Sequence, residues 1–344
     1  MEEVRKMKKK AILFLLIIGV VVLGLAAYLR KEEHVSAEEK EKACYMVQSS
    51  SGSSILDAKH KFQYYDENGN FLFERQLSSG GDLAYEMVDV KNQKIYNYGP
   101  GGCVVTDIQT CDSTLIAETF PYSLSVDENG DLYFYQWSNP DERLIMHYDG
   151  NNLIQVMDTN DNVIRLLVSN KKIYTLCHET TSNQYMIKIY DENKQLDRTI
   201  DSETIKHPIG LFKINGQVYT YAKEKETFVC ISSDQLDERI VLSTPLTNND
   251  EAFFDVCDDG TVMVHDDHTI YQVTNNGEVQ IIYNDANNWL VPSLNHQEWI
   301  YWNRSGNSDE IELKIVIDKN NVSYQTLSLN LDEDQRIFHV YKIK

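Results

Sequence analysis

Val126 to Tyr135 reads VDENGDLYFY, a polar, glycine-bearing turn that opens directly onto alternating apolar and aromatic residues. Asn and Gly there supply the positive φ that a two-residue hairpin turn needs. The alternation after the turn fits a pleated strand and carries no 3.6-residue period. Similar anchor runs recur along the chain: Ile95-Tyr96-Asn97-Tyr98, Leu132-Tyr133-Phe134-Tyr135, Ile173-Tyr174-Thr175-Leu176, Val218-Tyr219-Thr220-Tyr221, Val262-Met263-Val264-His265, Trp299-Ile300-Tyr301-Trp302 and Ile337-Phe338-His339-Val340. Their first residues are 37, 41, 45, 44, 37 and 38 positions apart. Tight turns precede some of them (INGQ at 214–217, CDDGT at 257–261). A second set of turns closes the units: DENGN at 66–70, DGNN at 149–152, DENKQ at 191–195 and TNNGE at 274–278.

A period near 40 residues with about four short strands per repeat is the pattern of a propeller blade. The two ends complete it. A closing-type hairpin, Phe62 to Leu77, opens the repeats without an anchor run, and the last anchor, Ile337 to Ile343, has no hairpin after it. One blade built from both termini removes the exposed sheet edge. The expected fold is therefore all-β, a seven-bladed β-propeller with terminal-strand closure over residues 61–344; a six-bladed ring with an appended hairpin and an eight-bladed ring are the alternatives.

The repeat resembles that of bacterial membrane-anchored extracytoplasmic β-propellers related to the NHL, lactonase-like and TolB-like groups. The resemblance covers about residues 62–344 and rests on Asp-x-x-Gly-x-apolar-Tyr, as in Asp127-Glu128-Asn129-Gly130-Asp131-Leu132-Tyr133. It implies the fold and is nearly silent about function. In lactonase-like relatives it further implies a divalent cation held in the central channel by Glu, Asn and Asp from several blades. Such a set is scattered in sequence, so neither calcium nor any other cofactor or metal ligand is assigned. Ser125 to Tyr133 is also similar to the Asp box of sialidase propellers, but an extra residue separates Asp from Gly, and the plain turn is the reading kept.

Ahead of the repeats, Ala11 to Leu29 (AILFLLIIGVVVLGLAAYL) is an uncharged run of 19 residues. As a helix rising about 1.5 Å per residue it matches the roughly 30 Å hydrocarbon core of a bilayer. Arg5, Lys6, Lys8, Lys9 and Lys10 precede it, and only Arg30 and Lys31 follow before Glu32 and Glu33. The positive-inside rule then places residues 1–10 in the cytoplasm, 11–29 across the membrane as an uncleaved signal anchor, and the rest outside. A cleaved signal peptide is the competing reading, but the run exceeds the usual apolar length of about 7–15 residues. Residues 30–60, charged and then Ser-rich, read as a stalk.

The whole chain carries 32 basic and 53 acidic residues, a net charge of −21. Beyond residue 31 the balance is 25 against 51, or −26. That excludes nucleic acid as a partner bound through its phosphates. Of the candidate metal motifs, Asp158-Thr159-Asn160-Asp161-Asn162 starts like a calcium loop but has Val163 and Ser169 where an EF-hand needs Gly and Glu. His265-Asp266-Asp267-His268 offers two ligands per strand face, too few for a closed site. No catalytic dyad or phosphate-binding loop is present. Cys103 and Cys111 flank an expected hairpin and are the candidate disulfide; Cys177, Cys230 and Cys257 read as buried small residues.

The loops entering each first strand and leaving each anchor strand share one rim, which collects Tyr122, Trp137, His207, Trp289, Trp302 and Arg304. Aromatics and Arg are the usual anchors of binding surfaces. The expected function is a membrane-tethered, non-enzymatic binding, sensing or scaffold module for a protein, peptide or envelope component. A metal-dependent propeller hydrolase, with its site in the central channel, is the alternative.

Overall fold

The computed structural model describes residues 35–51, 59–76, 83, 85–89, 91–139, 142–179, 181–214, 216–234, 236, 239–243, 253–256, 262–265, 269–274, 276–284, 289–291, 299–303, 310–318, 320–329 and 336–344. Residues 42–344 form one compact unit. A short helix α1 (Ala37–Lys42) is followed by β1 (Tyr45–Ser51), β2 (Lys59–Tyr65) and β3 (Phe71–Gln76). Six runs of four strands follow. They are β4 (Tyr85–Asp89), β5 (Lys94–Gly99), β6 (Gly102–Asp107) and β7 (Asp112–Ala117); then β8 (Pro121–Val126), β9 (Leu132–Asn139), β10 (Glu142–Tyr148) and β11 (Leu153–Asp158). Next come β12 (Val163–Ser169), β13 (Lys172–Glu179), β14 (Gln184–Tyr190) and β15 (Leu196–Asp201); then β16 (Pro208–Ile214), β17 (Gln217–Ala222), β18 (Thr227–Cys230) and β19 (Arg239–Val241). The last two runs are β20 (Phe253–Val256), β21 (Val262–His265), β22 (Thr269–Val273) and β23 (Val279–Asn284), and β24 (Trp289–Val291), β25 (Trp299–Asn303), β26 (Glu310–Asp318) and β27 (Asn321–Ser328). A final strand, β28 (Arg336–Lys342), ends the chain.

Among the described residues these strands make seven four-stranded antiparallel sheets, six in simple chain order and one ordered β28-β1-β2-β3. Neighbouring sheets touch in sequence, first strand to first strand at β8 and β12, β12 and β16, β16 and β20, and β24 and β28. This is a β-propeller.

Burial follows strand position. Second strands are packed on both faces, so β5, β13 and β17 are buried almost throughout. That is why the repeats carry their bulky apolar and aromatic residues there: burying each such side chain is worth about 1.5–3 kcal/mol. Fourth strands face solvent, as in β11 and β15. Apolar clusters fill the spaces between sheets; one joins Tyr96, Cys103 and Ile116 to Leu132 and Phe134, and another joins Leu176 and Ile187 to Val218 and Val229.

Three sequence expectations are corrected. Residues 45–51 were assigned to the stalk, but β1 is a buried second strand of the closing sheet, so the propeller begins before residue 61. The final anchor run forms β28, a first strand, and β1 occupies the anchor position beside it. Cys103 and Cys111 are thiols, not a disulfide. Cys103 faces Ala117 whereas Cys111 adjoins the Asp107–Asp112 pair at the turn, so the two sit at opposite ends of the β6–β7 hairpin. Four residues of strand separate them, on the order of 13 Å, against the roughly 4.4–6.8 Å between Cα atoms that a disulfide needs. In the Asp158–Asn162 segment, the Asp161 carboxylate holds Lys188 Nζ at 2.7 Å through both oxygens.

Asp127 to Asp131 form the plain turn after Ser125 and Val126 of β8. Asp127 Oδ1 accepts from the amides of Asn129 and Asp131, and the hydroxyls of Ser123 and Ser125 accept from Leu166 and Val168 amides of the next sheet at 2.9 Å. Residues 11–29, 257 and 266–268 lie outside the described residues. Among the described residues no helix is long and apolar enough to cross a membrane, and no group of three or more His, Cys, Asp or Glu is placed to hold a metal.

Candidate binding rim

Each first strand begins, and each second strand ends, at one rim of the propeller. Pro121 and Pro208 are the first residues of β8 and β16, where a missing N–H costs no ladder bond, and the residue before each stands at that rim. Phe120 and His207 are those residues. His207 holds a left-handed φ of 44°, sparsely populated for a non-glycine residue and restricted further by the following proline.

A continuous aromatic ladder runs along this rim. Tyr85 stacks on Tyr98 with centroids 5.6 Å apart and on Phe120 at 6.0 Å. Phe120 contacts Tyr122 at 4.3 Å, Tyr122 contacts Trp137 at 5.9 Å, and the Arg143 guanidinium lies 5.0 Å from the Trp137 ring centre. Tyr85, Tyr122 and Trp137 are 54, 40 and 37% exposed, which makes them a contiguous patch. Leu196, Val241 and Tyr324, also exposed, lie apart from it on the outer strands β15, β19 and β27 and need no explanation.

Beyond the ladder, between the β12–β15 and β16–β19 sheets, the same rim opens into a groove of about 610 Å³. Ile164, Leu176, Tyr185 and Ile209 supply its apolar lining, and Arg165, His207, Lys223 and Glu224 its polar groups. Tyr185 lies 4.7 Å from the His178 ring and 6.1 Å from that of His207. Glu224 pairs with His207 Nδ1 at 3.2 Å and with Lys206 Nζ at 3.7 Å. Burial pushes the Tyr98 phenol up to about 12, with Arg165 opposing the rise, so Tyr98 stays neutral at physiological pH.

Of the residues expected on the rim, Tyr122 and Trp137 join the ladder and His207 lines the groove. Trp289 and Trp302 are backbone register partners in the β24–β25 pair, at the start of a first strand and near the end of a second, which is the same rim position. Arg304 lies outside the described residues. Sequence reasoning missed Tyr85, Phe120, Arg143, Arg165 and Tyr185. Phe120 was detectable as the aromatic before Pro121, and Tyr85 opens the first strand β4; Arg143 and Tyr185 enter through third strands, and Arg165 through the bulge between Val163 and Arg165.

No protein-family model matches the chain, and no curated protein matches it. Solved structures do. The chain is similar to a catalytically inactive virginiamycin B lyase from Staphylococcus aureus with quinupristin, at 12% identity and a TM-score of 0.47, over 79% of this chain and 93% of that one. It is similar to the β-propeller domain of the Trilobed protease from Pyrococcus furiosus, at 8% identity and a TM-score of 0.45, over 82 and 83% of the two chains. A third is the extracellular domain of BT3049 from B. thetaiotaomicron, assigned to a hybrid two component system, at 10% identity and a TM-score of 0.44; there the match spans 85% of this chain and 51% of that one.

Proposed function

We propose that the protein is a membrane-tethered, extracytoplasmic β-propeller of seven blades, acting as a non-enzymatic binding or sensing module that holds a protein, peptide or envelope component on the aromatic rim. The observation that carries this reading is the ladder from Tyr85 to Trp137, a contiguous exposed aromatic surface on the same rim as a groove of ligand size. Seven four-stranded sheets support the blade number. The apolar run at 11–29 and its basic N-terminal flank support the tether.

The test is site-specific photo-crosslinking in the cell that makes the protein, with a benzophenone side chain at Tyr122, at Tyr185 or at Tyr324 on the outer strand β27. Adducts of one size from Tyr122 and Tyr185, and none from Tyr324, are expected. Equal labelling from all three positions, or none from the rim, overturns the rim as the binding surface. A melting temperature that rises with calcium and falls with EDTA overturns the non-enzymatic reading in favour of the channel metal.

A further inference from the structure

We infer that the groove between the β12–β15 and β16–β19 sheets takes an anion, specifically a free carboxylate on an apolar or aromatic body such as a peptide C-terminus, with Arg165 as its anchor. The inference rests on the rim reading above and names the ligand class of that site. The groove's volume of about 610 Å³ falls within the roughly 300–1,000 Å³ typical of small-ligand sites. Its charge runs against the rest of the molecule. In a chain of net charge −21, the lining carries Arg165 and Lys223, and its one carboxylate, Glu224, is already engaged by His207 and Lys206.

Arg165 is the decisive group. Its exposed guanidinium donates from Nη1 to the neighbouring Ile164 carbonyl at 2.9 Å, and among the described residues no carboxylate pairs with it. Its other N–H groups stand at the groove in the planar fork that binds carboxylates bidentately. Ile164, Leu176, Tyr185 and Ile209 then offer the ligand's apolar body a surface. A neutral or cationic ligand would cover Arg165 without pairing it, which costs binding energy. A phosphate also fits the fork, but as a dianion it meets stronger repulsion from the acidic molecule, so the monoanion is favoured.

The experiment uses the full chain in detergent, with calorimetric titration of N-acetyl-Leu-Phe as the free acid, of the same dipeptide as its C-terminal amide, and of phenyl phosphate. The acid is expected to bind at least tenfold tighter than the amide. Arg165→Gln should abolish that preference, with an unchanged melting temperature as the check on folding, and Arg165→Lys should retain part of it. Equal binding of acid and amide overturns the anion inference and leaves the rim standing. Tighter binding of phenyl phosphate than of the acid overturns the carboxylate in favour of a phosphate. Binding of none of the three overturns the inference, and the crosslinking pattern then decides the rim separately.

Discussion

Glu128 lies at the tip of the β8–β9 turn, on the opposite rim from the groove, and ties three sheets together. Its carboxylate accepts from Lys213 Nζ, from Ser169 Oγ at 2.9 Å and from the Asn170 amide at 3.1 Å. Partial burial raises its pKa, but the Lys213 ammonium, a backbone amide and the Ser169 hydroxyl outweigh that and bring it from 4.5 down to about 2. A carboxyl held lower in the folded than in the unfolded state contributes its full stabilisation above the unfolded value and loses it as pH falls through the folded one. Glu128→Gln is therefore expected to lower stability at pH 7 by about 1 kcal/mol once solvent screening of a partly exposed group is allowed for, seen as a lower melting temperature. The gap to the native chain should narrow between pH 4.5 and 2, and melts across that range check it; a gap independent of pH would show that Glu128 acts only by packing. The sequence marked Asp127-Glu128-Asn129-Gly130 as a turn. It did not show that Glu128 reaches Lys213, 85 positions away, because that proximity exists only once the sheets stand side by side.

At the scale of single elements, the turns behave as their composition requires. DENGN, DGNN, DENKQ and TNNGE connect β2 to β3, β10 to β11, β14 to β15 and β22 to β23. Gly69, Gly150 and Gly277 adopt φ of 80, 92 and 80°. Two of these glycines do more than turn the chain. A Cβ on Gly277 would lie 1.9 Å from the Val241 carbonyl of the preceding sheet, and one on Gly69 would lie 2.1 Å from that of Thr326; at Gly150 nothing lies within 4 Å. Gly150→Ala thus costs only the left-handed backbone, about 1–2 kcal/mol. Gly277→Ala must in addition displace a packed backbone, so its loss in chemical denaturation should be at least twice as large, and equal losses would show that the sheets do not meet at that turn. Second strands were legible for the same local reason: packed on both faces, they collect the Ile-Tyr and Leu-Tyr pairs that stand out from a polar background. The rim residues on β10, β12 and β14 were not, because strand alternation does not tell which end of a strand, or which side of a bulge, faces a groove.

For the whole molecule the deciding interface is the one between the chain's two ends and the β4–β7 sheet. It is knitted by buried polar groups. Gln48 Nε2 donates to the Leu83 carbonyl at 3.1 Å and lies 3.3 Å from His60 Nδ1, while Asn97 Nδ2 donates to Gln48 Oε1 at 2.7 Å and to the Tyr341 hydroxyl at 2.9 Å. His339 Nδ1 and Glu86 Oε2 stand 3.4 Å apart beside them. Gln48→Leu leaves the Leu83 carbonyl and the Asn97 amide each short of a partner in a dry interface, at about 1–3 kcal/mol per group. A loss of several degrees in melting temperature is expected, whereas an unchanged melt would remove β1 from the closing sheet. A chain shortened to begin at Lys61 lacks β1 altogether and should fail to give a cooperative melt. The sequence by itself determined the strand repeat, its turns, the pairing of the two termini and the acidic surface, because each of these is written in local composition and spacing. Only the tertiary structure decided that Tyr45-Met46-Val47-Gln48-Ser49-Ser50-Ser51 belongs to the propeller. Its polar half looks like a stalk, and its Gln48 is buried there because His60, Leu83 and Asn97, from other strands and another sheet, supply the hydrogen bonds that water would otherwise make. The same holds for the rim: one aromatic ladder and one groove arise from residues 85 to 224 because the fold brings the ends of successive strands to a common edge.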